Sequence, residues 1–407
     1  MRILAAILLA VAFAPAHIAG VSQAQPSPPA GTVKLGVDVL LDSPSILPGR
    51  RIGLVTHAAG ITSTGEATAA VLLRDSRFAV TALFAPEHGI DGTVPAGQSV
   101  PGAGGPVPTF SLYGATRQPT PEMMANIDVF VVDLQDVGAR AYTYVSTMAM
   151  VMESARATGK PVVVLDRPNP QGGVLIDGPV LDPAYRSFIG MFPISMVHGM
   201  TIGELAQLFN AEFGIGADLT IVPMRGWTRR TVWEHTGLPW VRPSPNIPTM
   251  RTPLYYSATG VLDGTNLGNG IGTPYPFEVV LAPWLDGAAL SQRLNALALP
   301  GVSFEPYAFV RNGTTLGGVR LLIGDPLRFR ASVTALHMIV EIRNQHPQHF
   351  QFVERSGRQI FDFVWGTDVV RKDVARGAPA GAIAARWEPE LRRFDVQRAP
   401  YLIYPQR

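Results

Sequence analysis

The sequence predicts an α/β fold built on a mostly parallel sheet, followed by a smaller α+β domain. Three observations predict it. Short apolar runs alternate with helical patterns through the first half of the chain, the order expected of βαβ units. Those runs are continuous in apolar residues, as fully buried strands are. The chain has 407 residues, more than one core usually supports.

Taken in order, residues 51–56 (RIGLVT) read as the first strand, ending at His57, and 66–74 as a helix. Residues 79–84 (AVTALF) form a second strand that runs into Pro86-Glu87-His88-Gly89, with a Gly- and Pro-rich loop over 92–108. The stretch DVFVVDLQDVGARAYTY, residues 128–144, holds a strand at 129–132. It then breaks into Asp133, Gln135, Asp136, Gly138, Arg140, Tyr142 and Tyr144. A carboxylate buried at such a strand end needs a partner, and Arg140 is the one expected for Asp133. A helix over 145–157 leads to a strand at 161–165 (PVVVL), which ends in DRPNP at 166–170. A helix over 201–213 and a strand at 219–223 follow. Thr201 and Glu204 have the spacing of a capping box, which makes Glu204 a helix cap. Residues 240–277 carry little helix or strand signal, and long segments of that kind are functional or linkers. The domain boundary is placed there, giving domains of 33–262 and 263–407. Beyond it, 288–297 and 331–344 read as helices, 319–323 as a strand and 386–398 as a partly helical, solvated face.

Composition narrows the class. An apolar fraction of 47% and a mean hydropathy of +0.18 fit a well-packed globular chain. A net charge of +2, without clustered Lys and Arg, points away from nucleic acid. Residues 1–24 read as a signal peptide: Arg2, an apolar run over 3–15, then Ser22-Gln23-Ala24 as a cleavage site. Residues 25–32 are a Pro-rich linker. The expectation is a periplasmic or secreted protein with no membrane anchor after signal cleavage. With no cysteine in the chain, disulfides, a thiol nucleophile and Cys-ligated zinc are excluded.

The chemistry gathers at strand ends. In parallel α/β sheets ligands bind outside the carboxyl ends of the strands. Here four strands end in His57; Glu87 and His88; Gln135, Asp136 and Arg140; and Asp166, Arg167 and Asn169. Glycoside hydrolysis commonly needs two acidic side chains, one acting as acid. Glu87, held between Pro86 and Gly89, is the candidate acid, and Asp136 the second carboxylate. Arg suits a carboxylate ligand and Asn suits sugar hydroxyls, although Asn-Pro is also ordinary turn chemistry. His198 is either ligand-facing or a satisfied core residue. No G-x-S-x-G elbow, S-x-x-K, P-loop or H-E-x-x-H occurs. No cofactor is expected. His57, His88 and nearby carboxylates could assemble a metal site, but no spacing demands one.

At these residues the chain resembles the NamZ-type exo-β-N-acetylmuramidases, formerly a family of unknown function. The matching runs are GLVTHAAGIT (53–62), LFAPEHGIDG (83–92), DLQDVGARAYTYVST (133–147) and VVVLDRPNPQGG (162–173). They continue with SFIG (187–190), HGMTIGELA (198–206), LPWVRPSPNIPT (238–249) and DGTNLGNGIGTPYPFE (263–278). The resemblance implies a Rossmann-like N-terminal domain, a smaller C-terminal domain and a site between them. It implies removal of β-linked N-acetylmuramic acid from the non-reducing ends of peptidoglycan fragments, with the Glu of PEHG carried over to Glu87. The lactyl carboxylate of the sugar would suit Arg140 or Arg167. The expected substrate contacts are His57, His88, Gln135, Arg140, Tyr142, Arg167, Asn169, His198, Ser244, Asn246, Asp263 and Asn266. Where the family commonly has a carboxylate and a guanidinium, this chain has Asn269 and Ile271. The competing expectation is a non-catalytic muropeptide-binding protein.

Overall fold

The computed structural model describes residues 32–102 and 105–406; the expected signal segment, and all of the expected linker but Thr32, lie outside the described residues. The chain opens with α1 (Gly36–Asp42), β1 (Arg51–Thr56), α2 (Thr68–Arg74), β2 (Ala79–Ala85) and β3 (Thr109–Ser111). It continues through β4 (Val129–Asp133), α3 (Tyr144–Ala157), β5 (Val162–Leu165), β6 (Asp177–Val180) and β7 (Ser195–Val197). Then come α4 (Ile202–Glu212), β8 (Leu219–Val222) and α5 (Thr252–Thr259). The remainder forms β9 (Val279–Ala282), α6 (Gly287–Ala296), β10 (Val302–Arg311), β11 (Thr314–Ile323) and α7 (Ala331–Gln345). Three helices close it: α8 (Ile360–Trp365), α9 (Val369–Ala375) and α10 (Ala380–Arg398).

Six strands form one sheet in the order β3-β2-β1-β4-β5-β8, with every pairing parallel. This is the Rossmann strand order. The continuous apolar runs follow from burial on both faces. Val129, Val131, Val163 and Leu165 pack with Val37 and Leu40 of α1 on one side. Phe130, Val132, Val162 and Val164 pack with α3 and α4 on the other, against Met148, Leu205 and Leu208. That second layer runs without a break into the C-terminal part, through Val280, Leu321, Leu336 and Trp387. There a three-stranded sheet, β10-β11-β9, is antiparallel. Among the described residues, no helix is long and apolar enough to cross a membrane.

The structure corrects several expectations. Helix α5 lies inside the stretch read as lacking regular structure. Its sequence, TPLYYSAT, is poor in strong helix formers, and burial of Leu254, Tyr255 and Ala258 supplies what propensity does not. Helix α1, seven residues long, was also not anticipated. Strands β10 and β11 are ten residues each, where only 319–323 read as strand. Pro306 and the Gly317-Gly318 pair interrupt the apolar signal there. Asp133 does not pair with Arg140. It takes a two-pronged bond from Arg167, at 2.6 Å and 2.9 Å, and both side chains are fully buried.

Buried acids fasten residues 403–405 to the middle of the chain. Asp166 accepts from Thr201 Oγ1 at 2.7 Å, the Gly203 amide at 2.8 Å and the Tyr404 hydroxyl at 2.5 Å. Burial nevertheless pushes its carboxyl up to about 6. Thr201 and Glu204 form the expected capping box. Glu204 also pairs with Arg229 at 2.7 Å and accepts from the Ile403 amide at 2.9 Å. The Arg229 amide in turn donates to the Pro405 carbonyl. Removing one partner of a buried pair leaves the other charge uncompensated. Arg229→Met is therefore expected to lower unfolding stability by about 3–5 kcal/mol. Adding Glu204→Gln should recover part of that loss in chemical denaturation. Equal stabilities for wild type and Arg229→Met would contradict this account.

Candidate active site

Because the strands are parallel, the residues following β1, β2, β4 and β5 share one edge of the sheet. The chain order reverses between β1 and β4, where such sheets open a crevice. His57, after β1, bridges that point: its Nε2 accepts from the Gln135 amide, after β4, at 2.9 Å. Its ring meets Tyr144 edge-on at 4.7 Å. Burial, then the charges of Arg167 and His88, hold the imidazole well below its usual pKa, so it is neutral. Since Nε2 accepts, the proton sits on Nδ1, facing the Pro243 carbonyl.

Glu87 sits in a turn closed by the Gly89 amide on the Pro86 carbonyl, with His88 at φ 74°. A left-handed conformation costs a non-glycine residue about 1–2 kcal/mol, and such strain clusters at functional sites. The following loop stabilises it. His88 Nδ1 donates to the Val94 carbonyl at 2.7 Å, and the Val94 amide donates back to the His88 carbonyl at 3.1 Å. The same loop delivers the Gly97 amide to Glu87 Oε1 at 2.9 Å. Thr143 donates to Glu87 Oε2 at 2.6 Å. Thr143 precedes the first residue of α3, where a threonine usually caps its own helix; here no such cap bond forms and the hydroxyl serves Glu87. The carboxylate thus lies at the positive end of a 14-residue helix. The Tyr144 hydroxyl donates to both the Glu87 and Pro243 carbonyls, at 3.1 Å and 2.6 Å.

Asp136 is held from one side only. Its Oδ2 accepts from the Gly138 amide at 2.6 Å and lies 3.2 Å from His198 Nε2. His198 Nδ1 accepts from the Met200 amide, so its proton is on Nε2, toward Asp136. Asp136 Oδ1 is buried without any partner. Gly138 is obligatory in this arrangement: φ is +85°, and a Cβ would come within 2.4 Å of Asn169 Oδ1. Glu87 and Asp136 are 7% and 4% exposed.

Tyrosines join the two carboxylates. Tyr142 meets Tyr144 at 4.7 Å and Tyr256 at 5.9 Å, each edge-on. Burial raises the Tyr256 hydroxyl well above its usual pKa, and Asp263, Tyr142, Glu87 and Asp136 push it the same way. These four groups therefore lie within electrostatic reach of the Tyr256 hydroxyl. Asp263 is exposed at the surface, yet crowding by protein raises its carboxyl pKa, with Arg355 opposing. Tyr142 is buried beside Ser244, and its hydroxyl makes no hydrogen bond of good geometry.

Other expected contacts are committed elsewhere. Arg140 donates to the carbonyls of Pro179, Ile194 and Val364, and burial lowers its pKa to about 9. Arg167 is spent on Asp133 and the Ile61 carbonyl. Asn169 binds the Met200 carbonyl and the Gln171 amide. Gln135 donates to the carbonyls of Asp136 and Pro168. Exposed Asn266 clasps His349 and Gln351 backbone. Asn246 is half-buried in the loop carrying Ser244, and exposed Ile271 gives its carbonyl to Arg311. Thr143, Tyr144, Tyr256 and Gly97 were not among the nominated contacts. The first three lie in runs already singled out, whereas nothing in the sequence marks Gly97. Among the described residues, no three His, Asp or Glu side chains come together as a metal requires. A groove of about 570 Å³, lined by Ile383, Trp387 and Phe394, shares no residue with this site.

Comparison with known proteins places these residues in context. A family profile described as the N-terminal domain of exo-β-N-acetylmuramidase NamZ matches residues 52–251. Its C-terminal counterpart matches residues 254–404. A Bacillus subtilis protein named peptidoglycan β-N-acetylmuramidase NamZ is 44% identical over 383 residues, covering 91% of both chains. Two crystal structures of DUF1343 family proteins from Bacteroides fragilis share the fold. One has a TM-score of 0.84 at 34% identity, covering 92% of this chain and 99% of its own. The other has 0.72 at 30% identity, covering 93% and 100%.

The state of His57 has a measurable consequence. Its folded pKa is depressed, so below pH 6.5 the unfolded chain binds a proton that the folded one refuses. Its contribution is complete above pH 6.5 and is lost as the pH falls, at up to about 1.4 kcal/mol per pH unit. Unfolding free energy between pH 7.5 and 5 should therefore fall more steeply for wild type than for His57→Gln. Parallel curves would refute the neutral assignment.

Proposed function

Because the chain belongs to the NamZ exo-β-N-acetylmuramidase family, we propose that it is an exported glycoside hydrolase. Its reaction is removal of β-linked N-acetylmuramic acid from the non-reducing ends of peptidoglycan fragments. The observation that carries this reading is the pair of carboxylates beside one tyrosine. Glu87 is gripped by Thr143 and Gly97, while Asp136 keeps one oxygen free.

In this scheme Glu87 protonates the glycosidic oxygen as the bond to the anomeric carbon breaks. Thr143 and the Gly97 amide fix the carboxyl group, so little reorganisation accompanies proton transfer. Positive charge develops on the sugar ring. Asp136, anchored through Oδ2 by Gly138, offers Oδ1 to that charge or to the 2-acetamido N–H. Asp136 has little contact with bulk water, which favours charge stabilisation over activation of a free water. The acetamido oxygen then serves as internal nucleophile, as in substrate-assisted glycosidases. Water opens the resulting ring, and its proton restores Glu87. Tyr142 and Tyr256, held neutral by burial, are donors for sugar hydroxyls.

Export is supported by the charged, apolar and small-residue segments over 1–24. Residues 1–32 fused to a reporter should carry it out of the cytoplasm; retention inside removes that part of the proposal.

A chromogenic β-N-acetylmuramide tests the chemistry. Glu87→Gln should lower kcat by about 100- to 10,000-fold, and Asp136→Asn by about 100- to 1,000-fold. Undiminished turnover by Glu87→Gln eliminates the acid assignment. Wild-type binding of N-acetylmuramic acid with no turnover would select the muropeptide-binding reading.

A further inference from the structure

The reaction just proposed distinguishes its sugar from N-acetylglucosamine by one substituent, an acidic lactyl ether. Arg140 and Arg167, the arginines that follow β4 and β5, are fully buried and give most of their donors to backbone carbonyls and Asp133, with only Arg140 Nε and Arg167 Nη1 left over. A third arginine is differently placed. Arg117 lies between two aromatic rings, its guanidinium carbon 3.9 Å from the Tyr113 centroid and 4.2 Å from that of Phe188. The two rings are themselves 5.8 Å apart. Tyr113 packs with Ala85 and Ile90, which flank the Glu87 turn, and with Val100. Its hydroxyl faces both Glu87 and Arg117.

The guanidinium is held by the two rings and lies beside the Tyr113 hydroxyl, with no carboxylate paired to it. Among the described residues it has no ion-pair partner, and its Nη1 is buried with no hydrogen bond. Stacking fixes the plane of an arginine and leaves its edge free for a carboxylate. The loop that carries it is stiffened from within. The Gln118 amide donates to Thr116 Oγ1 at 3.1 Å, and Thr116 Oγ1 donates to the Gln118 carbonyl at 2.8 Å. Phe188 comes from a separate tight turn, in which Ser187 and Gly190 exchange backbone hydrogen bonds. A pre-oriented cation without a counter-ion, one side chain away from the acid, calls for an anionic group on the ligand.

We propose that Arg117, clamped by Tyr113 and Phe188, is the specificity residue that pairs with the lactyl carboxylate of the muramic acid unit. The assignment rests on the muramidase reading for its substrate. It places the sugar's 3-position toward β3 and the Phe188 turn, with the anomeric carbon toward Glu87 and Asp136.

The test compares a chromogenic β-N-acetylmuramide with its lactyl amide, equal in size but uncharged. Wild type should prefer the acid. Arg117→Gln should lower kcat/KM for the acid by about 10- to 100-fold, chiefly through KM, and leave the amide within a few-fold. Arg117→Lys, which keeps the charge but not the planar fork, should fall between. A variant losing both substrates equally, or neither, overturns the proposal, because a purely structural arginine would not change the acid-to-amide ratio. Calorimetry with free N-acetylmuramic acid and its amide separates this from failure of the hydrolase reading. If wild type turns over nothing but binds the acid more tightly than the amide, and Arg117→Gln abolishes that difference, the assignment stands without the hydrolase. If wild type binds both alike or neither, Arg117 does not read the carboxylate.

Discussion

An acid inside a protein must be supplied with donors, and the way this chain meets that demand organises the molecule. Asp133 is matched by Arg167, Glu204 by Arg229, and Asp166 by two hydroxyls and two amides. Asp177 receives Arg330 and the first amides of α7. Each set joins segments far apart in sequence, and each is complete enough to be structural. Asp136 stands apart, with one oxygen bound and the other empty. Hydrogen-bond satisfaction therefore separates Asp136 from the scaffold acids around it, whereas Glu87, bonded at both oxygens by Thr143 and Gly97, is set apart by its strained turn at a strand end.

The surrounding shell is shaped by the same logic at the level of the backbone. Thr143 leaves its own helix uncapped to reach Glu87, and His88 adopts a conformation that glycine would hold more easily. Both departures are local losses that tertiary contacts offset. The loop over 92–102 closes on His88 with two hydrogen bonds and on Glu87 with a third. This is why a Gly- and Pro-rich segment without regular structure is still well defined where it matters.

Much of the fold was legible in the sequence because buried parallel strands write themselves as unbroken apolar runs. β1 was bounded to the residue, and β2, β4, β5 and β8 to within one residue at either end. The same runs place Glu87, Asp136 and His57 on one edge of the sheet, as the parallel strands do. What escaped was decided by tertiary contact. α5 is helical because it is buried, and Asp133 chose Arg167 over Arg140 because that arginine lies across the sheet edge rather than seven residues along the chain. Arg117 carries no sequence signal, since its meaning comes from two rings contributed by separate loops. The C-terminal part was least legible, because its long hairpin alternates and includes Pro306 and paired glycines.

The last residues of the chain carry a temporal implication. Tyr404 supplies a donor to Asp166, Ile403 one to Glu204, and Pro405 an acceptor to Arg229. These groups sit beside the β5–β8 side of a sheet whose last strand ends at Val222. While the polypeptide emerges from a ribosome, Asp166, Glu204 and Arg229 lack these partners until residues 403–405 have followed. The buried acids of the earlier half are thus completed by groups made long after them.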